Sequence, residues 1–416
     1  MTGAALRVVA LADTDSYVKW AAAMLGSLPA GTDVELLIVE TALVVSPAQQ
    51  ATALARSGLD PSRVRRVVYD DLVRVLGEYA PDAVLVAARG PVVRVLTALV
   101  ATLDPRPVIV SGLPGISIPA TTAAMVHRTQ CDMFVLHSTR EIAAFSALAR
   151  QRGLTQRFAL AGLPFARAAA PERPPAERTD LVFASQAIVP RDRVDRLRVA
   201  RLLIETAREH PDKRVVVKER ATAGEHQTHA QQHGYPDLLR RMGPLPANLV
   251  VSTDSMAHAL DTAEGLVTVS STAAIEAIAR GIPVIALDTF GVEDALINTV
   301  FVGSGLLGSE GDVVQRDFRL PPTAWLVHNY FHDPAEEDWI AEMAQLVELR
   351  RAGELPPKPG RMRRGGRVRD VWERRLALGR RDRSLAGAIV WAVGVPSRMI
   401  LRPVLRPYYR RRLESV

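Results

Sequence analysis

The stretch from Leu266 to Ile285 reads Leu-Val-Thr-Val-Ser-Ser-Thr-Ala-Ala-Ile-Glu-Ala-Ile-Ala-Arg-Gly-Ile-Pro-Val-Ile and leaves the chain little choice of path. A run of β-branched and apolar residues forms a buried strand that ends in Ser270, Ser271 and Thr272, residue types suited to an N-cap. A short helix from Ala273 to Arg280 follows. Gly281 supplies the left-handed residue that closes a helix, and Pro283 cannot continue it, so the chain restarts as a second strand. Strand, helix and strand joined this tightly make a βαβ unit, which requires a parallel sheet. Such a unit also presents free backbone N–H groups at the helix start, where a phosphate can sit, with Glu276 close enough to reach a ribose hydroxyl.

The same alternation fills the chain. Expected strands are Leu6–Ala12, Val34–Glu40, Val64–Val68, Ala83–Ala87, Val108–Ser111, Met133–Leu136 and Phe158–Ala161, then Leu181–Ala184, Arg214–Lys218, Leu249–Ser252, Val267–Val269 and Pro283–Leu287. Between them lie stretches such as Ser46–Ser57 and Arg89–Leu103 with helix-spaced apolar residues. Near-continuous apolar strands alternating with helices predict parallel sheets covered on both faces. The segment Ala166–Arg178 (Ala-Arg-Ala-Ala-Ala-Pro-Glu-Arg-Pro-Pro-Ala-Glu-Arg) has no apolar periodicity and divides two such units. The expected organisation is a Rossmann-like domain over 1–165, a linker over 166–179, a second Rossmann-like domain over 180–345 and a basic, partly apolar helical tail over 346–416. The fold class is α/β, with a cleft between the two domains beyond the carboxyl ends of the strands.

The Ser270-Ser-Thr-Ala-Ala-Ile-Glu-Ala-Ile-Ala-Arg-Gly-Ile-Pro-Val-Ile285 run resembles the nucleotide-binding segment in the C-terminal domain of GT-B glycosyltransferases, especially capsule-polysaccharide and CDP-glycerol-type transferases. To about residue 345 the chain is also similar to a family of glycosyltransferase-like proteins from high-GC Gram-positive bacteria. The resemblance implies a sugar nucleotide as donor, a cell-surface glycan or lipid-linked acceptor, and no cofactor or bound metal. It implies that Ser270, Ser271, Thr272 and Glu276 hold the nucleotide. Two other readings stay open: a sugar-nucleotide 2-epimerase with the same double-Rossmann plan, and an inactive GT-B scaffold that tethers partners at a membrane.

Further candidates follow from position. Asp13, Asp15 and Ser16 cluster at the carboxyl end of the first strand, and either aspartate could take the proton of an attacking acceptor hydroxyl; helix capping is the competing role. Lys218 and Arg220 leave the end of a buried strand, so their cations are expected to face the cleft and stabilise phosphate charge. Where the related capsule transferases carry a Lys-x-His-Pro-like motif, this chain has Lys218-Glu-Arg-Ala221, which leaves the individual roles open. Glu225 and His229 lie just beyond, in a loop better suited to donor contact than to metal. Asp254, after another strand, could reach a base or ribose, and Trp325, His328, Asn329, Tyr330 and His332 form a polar-aromatic patch that could cover the donor. Gly112 and Gly115 flank a proline in an expected acceptor-side loop.

Charge is unevenly spread. From Arg351 onward there are 18 Lys and Arg against 5 Asp and Glu, so the net charge of +7 conceals an acidic body and a strongly basic tail. A single cysteine, Cys131, excludes an internal disulfide framework. No run reaches the ~18–20 apolar residues that span a bilayer, and no leader peptide is evident at the start, so a cytoplasmic location is expected. The tail combines arginines with the apolar run Leu385–Val395 and the tyrosines Tyr408 and Tyr409. That mixture is expected to place residues 361–412 on an anionic membrane surface, since the apolar run has no use on nucleic acid; packing of that run back on the body as a C-terminal helix stays open.

Overall fold

The computed structural model describes residues 5–55, 57–167, 173–219, 233–357 and 366–393. The first sheet has seven parallel strands: β1 (Arg7–Ala12), β2 (Asp33–Val39), β3 (Val64–Val67), β4 (Ala83–Ala87), β5 (Val108–Gly112), β6 (Met133–Leu136) and β7 (Phe158–Leu160), in the order β3-β2-β1-β4-β5-β6-β7. The second has six: β8 (Asp180–Ala184), β9 (Val215–Lys218), β10 (Leu249–Ser252), β11 (Ala263–Thr268), β12 (Val284–Leu287) and β13 (Leu307–Gly308), in the order β10-β9-β8-β11-β12-β13. Central strands bury every residue, as in Val84, Leu85 and Val86 of β4 or Leu181, Val182 and Phe183 of β8. Buried on both faces, they read as the unbroken apolar runs that made them legible. The expected α/β fold of two Rossmann-like domains is what the chain adopts.

The βαβ unit at 266–285 forms as its residues dictate. Its helix is Ala273–Ala279, and Gly281 follows the C-cap at φ 68°. Ile282 N–H donates to Ala277 O at 2.9 Å and Gly281 N–H to Ile278 O at 2.9 Å, the paired bonds of a Schellman close.

One element departs from the expected boundaries. The helix Trp339–Arg351, which begins inside the stretch expected to belong to the second domain, packs on the first. Trp339, Met343, Leu346 and Val347 share a core with Val8, Leu36, Leu85 and Val110. Asp82 anchors its far end, accepting from Arg350 at 3.1 Å and Arg351 at 3.2 Å. The tail also returns to the body: the helix Gly366–Leu378 lies against Gly90–Val100, with Ala377 in the first domain's core.

Candidate functional site

In both sheets the strand order reverses direction beside the first strand of the domain, between β1 and β4 and between β8 and β11. Loops leaving the carboxyl ends on either side of such a point part company and open a crevice. The molecule therefore has two facing crevices.

Asp13 and Arg89 close the floor of the first. Asp13 follows β1, is fully buried, and accepts from Arg89 N–H at 3.1 Å and Arg89 Nε at 2.7 Å. Burial pushes its carboxyl above the usual range, and the guanidinium works against that rise. With each oxygen on Arg89, Asp13 is committed to an ion pair, which leaves Asp15 as the other aspartate expected as a base. Asp15 opens the helix Asp15–Gly26 and is half-buried; Ser16 Oγ lies 3.5 Å from its carboxylate. The N-cap position itself belongs to Thr14, without a side-chain cap bond. Below this pair, buried Arg128 donates to Gly112 O at 3.2 Å, Ala88 O at 3.3 Å and the Tyr17 hydroxyl at 3.1 Å. Burial raises the Tyr17 phenol, chiefly against the pull of Arg128. Trp20 Nε1 lies 2.8 Å from His137 Nε2, which is also 3.0 Å from Leu113 O, and His137 Nδ1 is 3.0 Å from Ala161 O, so the buried ring joins three elements. Gly112 ends β5 in the interior against the Trp20 indole, so it is a packing residue and not a surface contact.

The tie across the second crevice is a neutral one. Gln186, beyond β8, accepts from Ser270 N–H at 2.9 Å and donates to Ser270 Oγ at 3.1 Å. Next to it Ser185 Oγ donates to buried Glu219 at 2.8 Å. Lys218 does not project into the cleft: it is buried, and its amine donates to the Glu219 carbonyl. It closes β9, which is paired with β8 on one side and β10 on the other, so its side chain leaves from inside the sheet. Arg220, Glu225 and His229 lie outside the described residues. Asp254 is exposed at the end of β10 and bonded to Ser252 Oγ at 2.9 Å; Ser255 caps the following helix.

The amides expected to be free at the Ala273–Ala279 helix are bonded. Ser270 N–H goes to Gln186, Ser271 N–H to Thr268 Oγ1 at 3.1 Å, Ala273 N–H to Ser271 Oγ at 3.2 Å and Ala274 N–H to Ser271 O at 3.0 Å. Hydroxyls dense enough to cap a helix also satisfy it locally. Thr272 faces the other domain: Ile116 N–H lies 3.5 Å from its Oγ1, and a Cβ on Gly115 would stand 2.6 Å from the same atom. Two residues expected on opposite walls thus touch, and only glycine permits the approach. Glu276 is half-buried one turn along, and among the described residues no side chain bonds its carboxylate.

The seam between the domains adds Glu141 and Arg140, which sequence reasoning left out, to residues it had named for other roles. Glu141, fully buried, accepts from Ser117 N–H at 2.9 Å, His137 N–H at 2.9 Å and the Tyr330 hydroxyl at 2.7 Å. Arg140 donates to Val300 O at 2.8 Å and Thr299 O at 3.0 Å. Tyr330 and Trp325, read as covering a donor, are seam residues; Trp325 stacks on Phe301. Arg89 and Gln186 were also missed; each lies two residues past a strand bordering a reversal, a position that strand order alone reveals.

Residues 8–346 match the family described as "Putative glycosyltransferase (DUF6716)". This chain belongs to that family. No curated protein matches it in sequence. Among solved structures it is similar to S. aureus MnaA in a co-structure with UDP, at 10% identity over 85% of this chain and 99% of that one, with a TM-score of 0.54. The Methanocaldococcus jannaschii UDP-GlcNAc 2-epimerase in complex with UDP-GlcNAc and UDP is similar at 11% identity, covering 82% and 99%, with a TM-score of 0.54. Anabaena HepE in complex with UDP-glucose is similar at 13% identity, covering 84% and 100%, with a TM-score of 0.50. At these identities the likeness is one of fold, the two-domain GT-B type. Among the described residues no helix is long and apolar enough to cross a membrane.

Proposed function

We propose that this protein is a glycosyltransferase whose nucleotide-activated donor lies along the second crevice and whose acceptor enters over the first. The observation that carries the reading is Glu276, a carboxylate unbonded among the described residues, in the first turn of the helix that follows the strand bordering the second reversal. An acid at that position suits the hydroxyls of a ribose whose phosphates lie toward Ser270, Ser271 and Thr272. In the reaction an acceptor oxygen attacks the anomeric carbon, the bond from that carbon to the donor phosphate breaks, and the nucleotide leaves with the electron pair. The acceptor proton needs a base, and Asp15 is assigned that role because Asp13 is committed to Arg89. Arg220, Glu225, His229 and Asp254 remain candidates for the donor side. No metal or cofactor is assigned. A cell-surface glycan or a lipid-linked sugar is the acceptor class, and the setting is the cytoplasmic face of the membrane, met through residues 361–412.

The test is a thermal-shift screen against CMP, CDP, UDP, GDP and ADP and their sugar conjugates, since a ligand of the folded state raises the midpoint by mass action. A shift with one base, lost in Glu276→Ala, supports the reading. No shift with any nucleotide would sink it in favour of a tethering scaffold. The first-named structural relatives include 2-epimerases, so the responding sugar nucleotide is then incubated alone. Conversion to its C2 epimer without an acceptor would replace transfer by epimerisation.

A further inference from the structure

The tail folds into a helical hairpin whose inner side is fixed to the first domain and whose outer side is apolar. Its first helix is Gly366–Leu378; a second runs over 385–393, with Ser384 Oγ accepting from Gly387 N–H at 3.0 Å at its start. Trp372 and Trp391 stack at 5.8 Å between the two, and Arg375 lies over Trp391. Asp382 in the turn is buried and pairs with Arg374 at 3.3 Å. This is built structure, with its polar groups satisfied inward.

The anchors share one edge of the first sheet. Arg381 pairs with Glu40 at 2.9 Å, just past β2; Gly379 lies against Ala42; Arg374 sits over the Tyr69 ring, just past β3. Glu373 pairs with Arg94 at 3.1 Å, on the helix that starts beside Arg89. Five residues of helix separate Arg94 from Arg89, a rise of about 7 Å. The turn of the hairpin therefore sits at the carboxyl edge of the sheet, while its first helix runs back along Gly90–Val100, with Asp370 and Val371 near Ala98 and Gln130.

Facing outward are Leu385, Ile389 and Val393, at 83, 64 and 65% exposure and spaced four apart on one ridge, with Val368 at 70% on the neighbouring helix. Residues 366–393 carry seven arginines against three acids, and Arg398, Arg402, Arg406, Arg410, Arg411 and Arg412 follow in sequence. A protein rarely leaves such a ridge in water without use. The surrounding charge selects among occupants. A second copy of the hairpin would bring arginine to arginine, and a nucleic acid would give the apolar ridge nothing. An anionic bilayer satisfies both, taking the ridge at the acyl boundary and the arginines at the headgroups.

We infer that this hairpin docks the first domain on an anionic bilayer through that ridge, so that an acceptor held in the membrane comes within reach of the domain. The docking stands on the hairpin alone; its use in presenting an acceptor rests on the transferase reading above. The full chain is sedimented with vesicles of phosphatidylcholine, with and without phosphatidylglycerol, beside the triple variant Leu385→Ser, Ile389→Ser, Val393→Ser and the variant Arg380→Glu, Arg383→Glu. Wild type is expected on the phosphatidylglycerol vesicles and released by salt. Each variant should bind roughly tenfold more weakly with an unchanged thermal midpoint. Triple-variant binding equal to wild type overturns the proposal, as does a concentration-dependent dimer that the triple variant abolishes while vesicles go unbound. Vesicle binding without any nucleotide-induced stabilisation would sink the transferase reading and leave the docking in place.

Discussion

The two crevices solve one topological problem with opposite chemistry. In each, loops diverge at a strand reversal, and the gap beneath them needs a polar group from either side to tie it shut. The first is tied by an ion pair, Asp13 to Arg89, with the carboxylate fully buried. The second is tied by an amide and a hydroxyl, Gln186 to Ser270. A buried ion pair costs desolvation and fails badly when one partner is lost, whereas a neutral pair is weaker but less exacting. The charged tie is thus the more sensitive of the two to loss of a partner.

The largest effect should come from breaking the charged tie on one side. Arg89→Met strands the Asp13 carboxylate in the interior and should lower unfolding stability by about 3–5 kcal/mol, toward the low end because Arg89 keeps 28% exposure. Urea unfolding measures it, and adding Asp13→Leu should recover most of the loss. A double variant no better than the single one would show that the pair does not act as a unit. Gln186→Leu should cost less, about 1–3 kcal/mol, because it strands only the Ser270 N–H and hydroxyl. It should also weaken the nucleotide-induced thermal shift, since Ser270 loses its fixed position. An effect of Gln186→Leu equal to that of Arg89→Met would erase the contrast between the crevices.

Most of the frame was legible because each strand is its own signal. Ala83–Ala87 and Met133–Leu136 fall where their apolar runs place them, since a strand buried on both faces needs nothing else to announce it. β13, two residues long, has no pattern to read. That the helix Trp339–Arg351 neighbours β5 was not readable, because β5 lies more than 200 residues earlier. The same limit governs the site. Asp13 and Ser270 could be named from their positions after strands, but their occupation could not: Arg89 is 76 residues from Asp13 and Gln186 is 84 from Ser270. Pairing across a reversal follows from strand order, and a single sequence does not display strand order.

The join between the crevices gives a smaller and more local test. Gly115 meets Thr272 so closely that a Cβ would lie 2.6 Å from Oγ1. Gly115→Ala should therefore push the two domains apart at this point, at a cost near the low end of the 1–3 kcal/mol typical of overpacking, and should weaken nucleotide binding with it. Thr272→Ala removes the clashing atom, so the double variant should be more stable than the sum of the two single effects. Strict additivity in that cycle would mean that the seam yields elsewhere and that the two crevices are not coupled through this contact.

The smallest effect separates the crevices by pH. Burial raises the folded-state carboxyl of Asp13 above its ordinary value of 3.8, so over that window the folded chain holds a proton that the unfolded chain has released. Stability contributed by this group is therefore present at low pH and lost as pH rises through the folded value, with a slope of at most about 1.4 kcal/mol per pH unit. Asp13→Asn removes that component, so its thermal midpoint should fall less than wild type's as pH rises from acid toward neutral. Gln186 and Ser270 do not titrate, so Gln186→Leu should run parallel to wild type throughout. A steeper fall in Asp13→Asn would mean that Arg89 outweighs burial and holds the carboxyl low, making the first crevice a stabilising ion pair where the present geometry makes it a strained one.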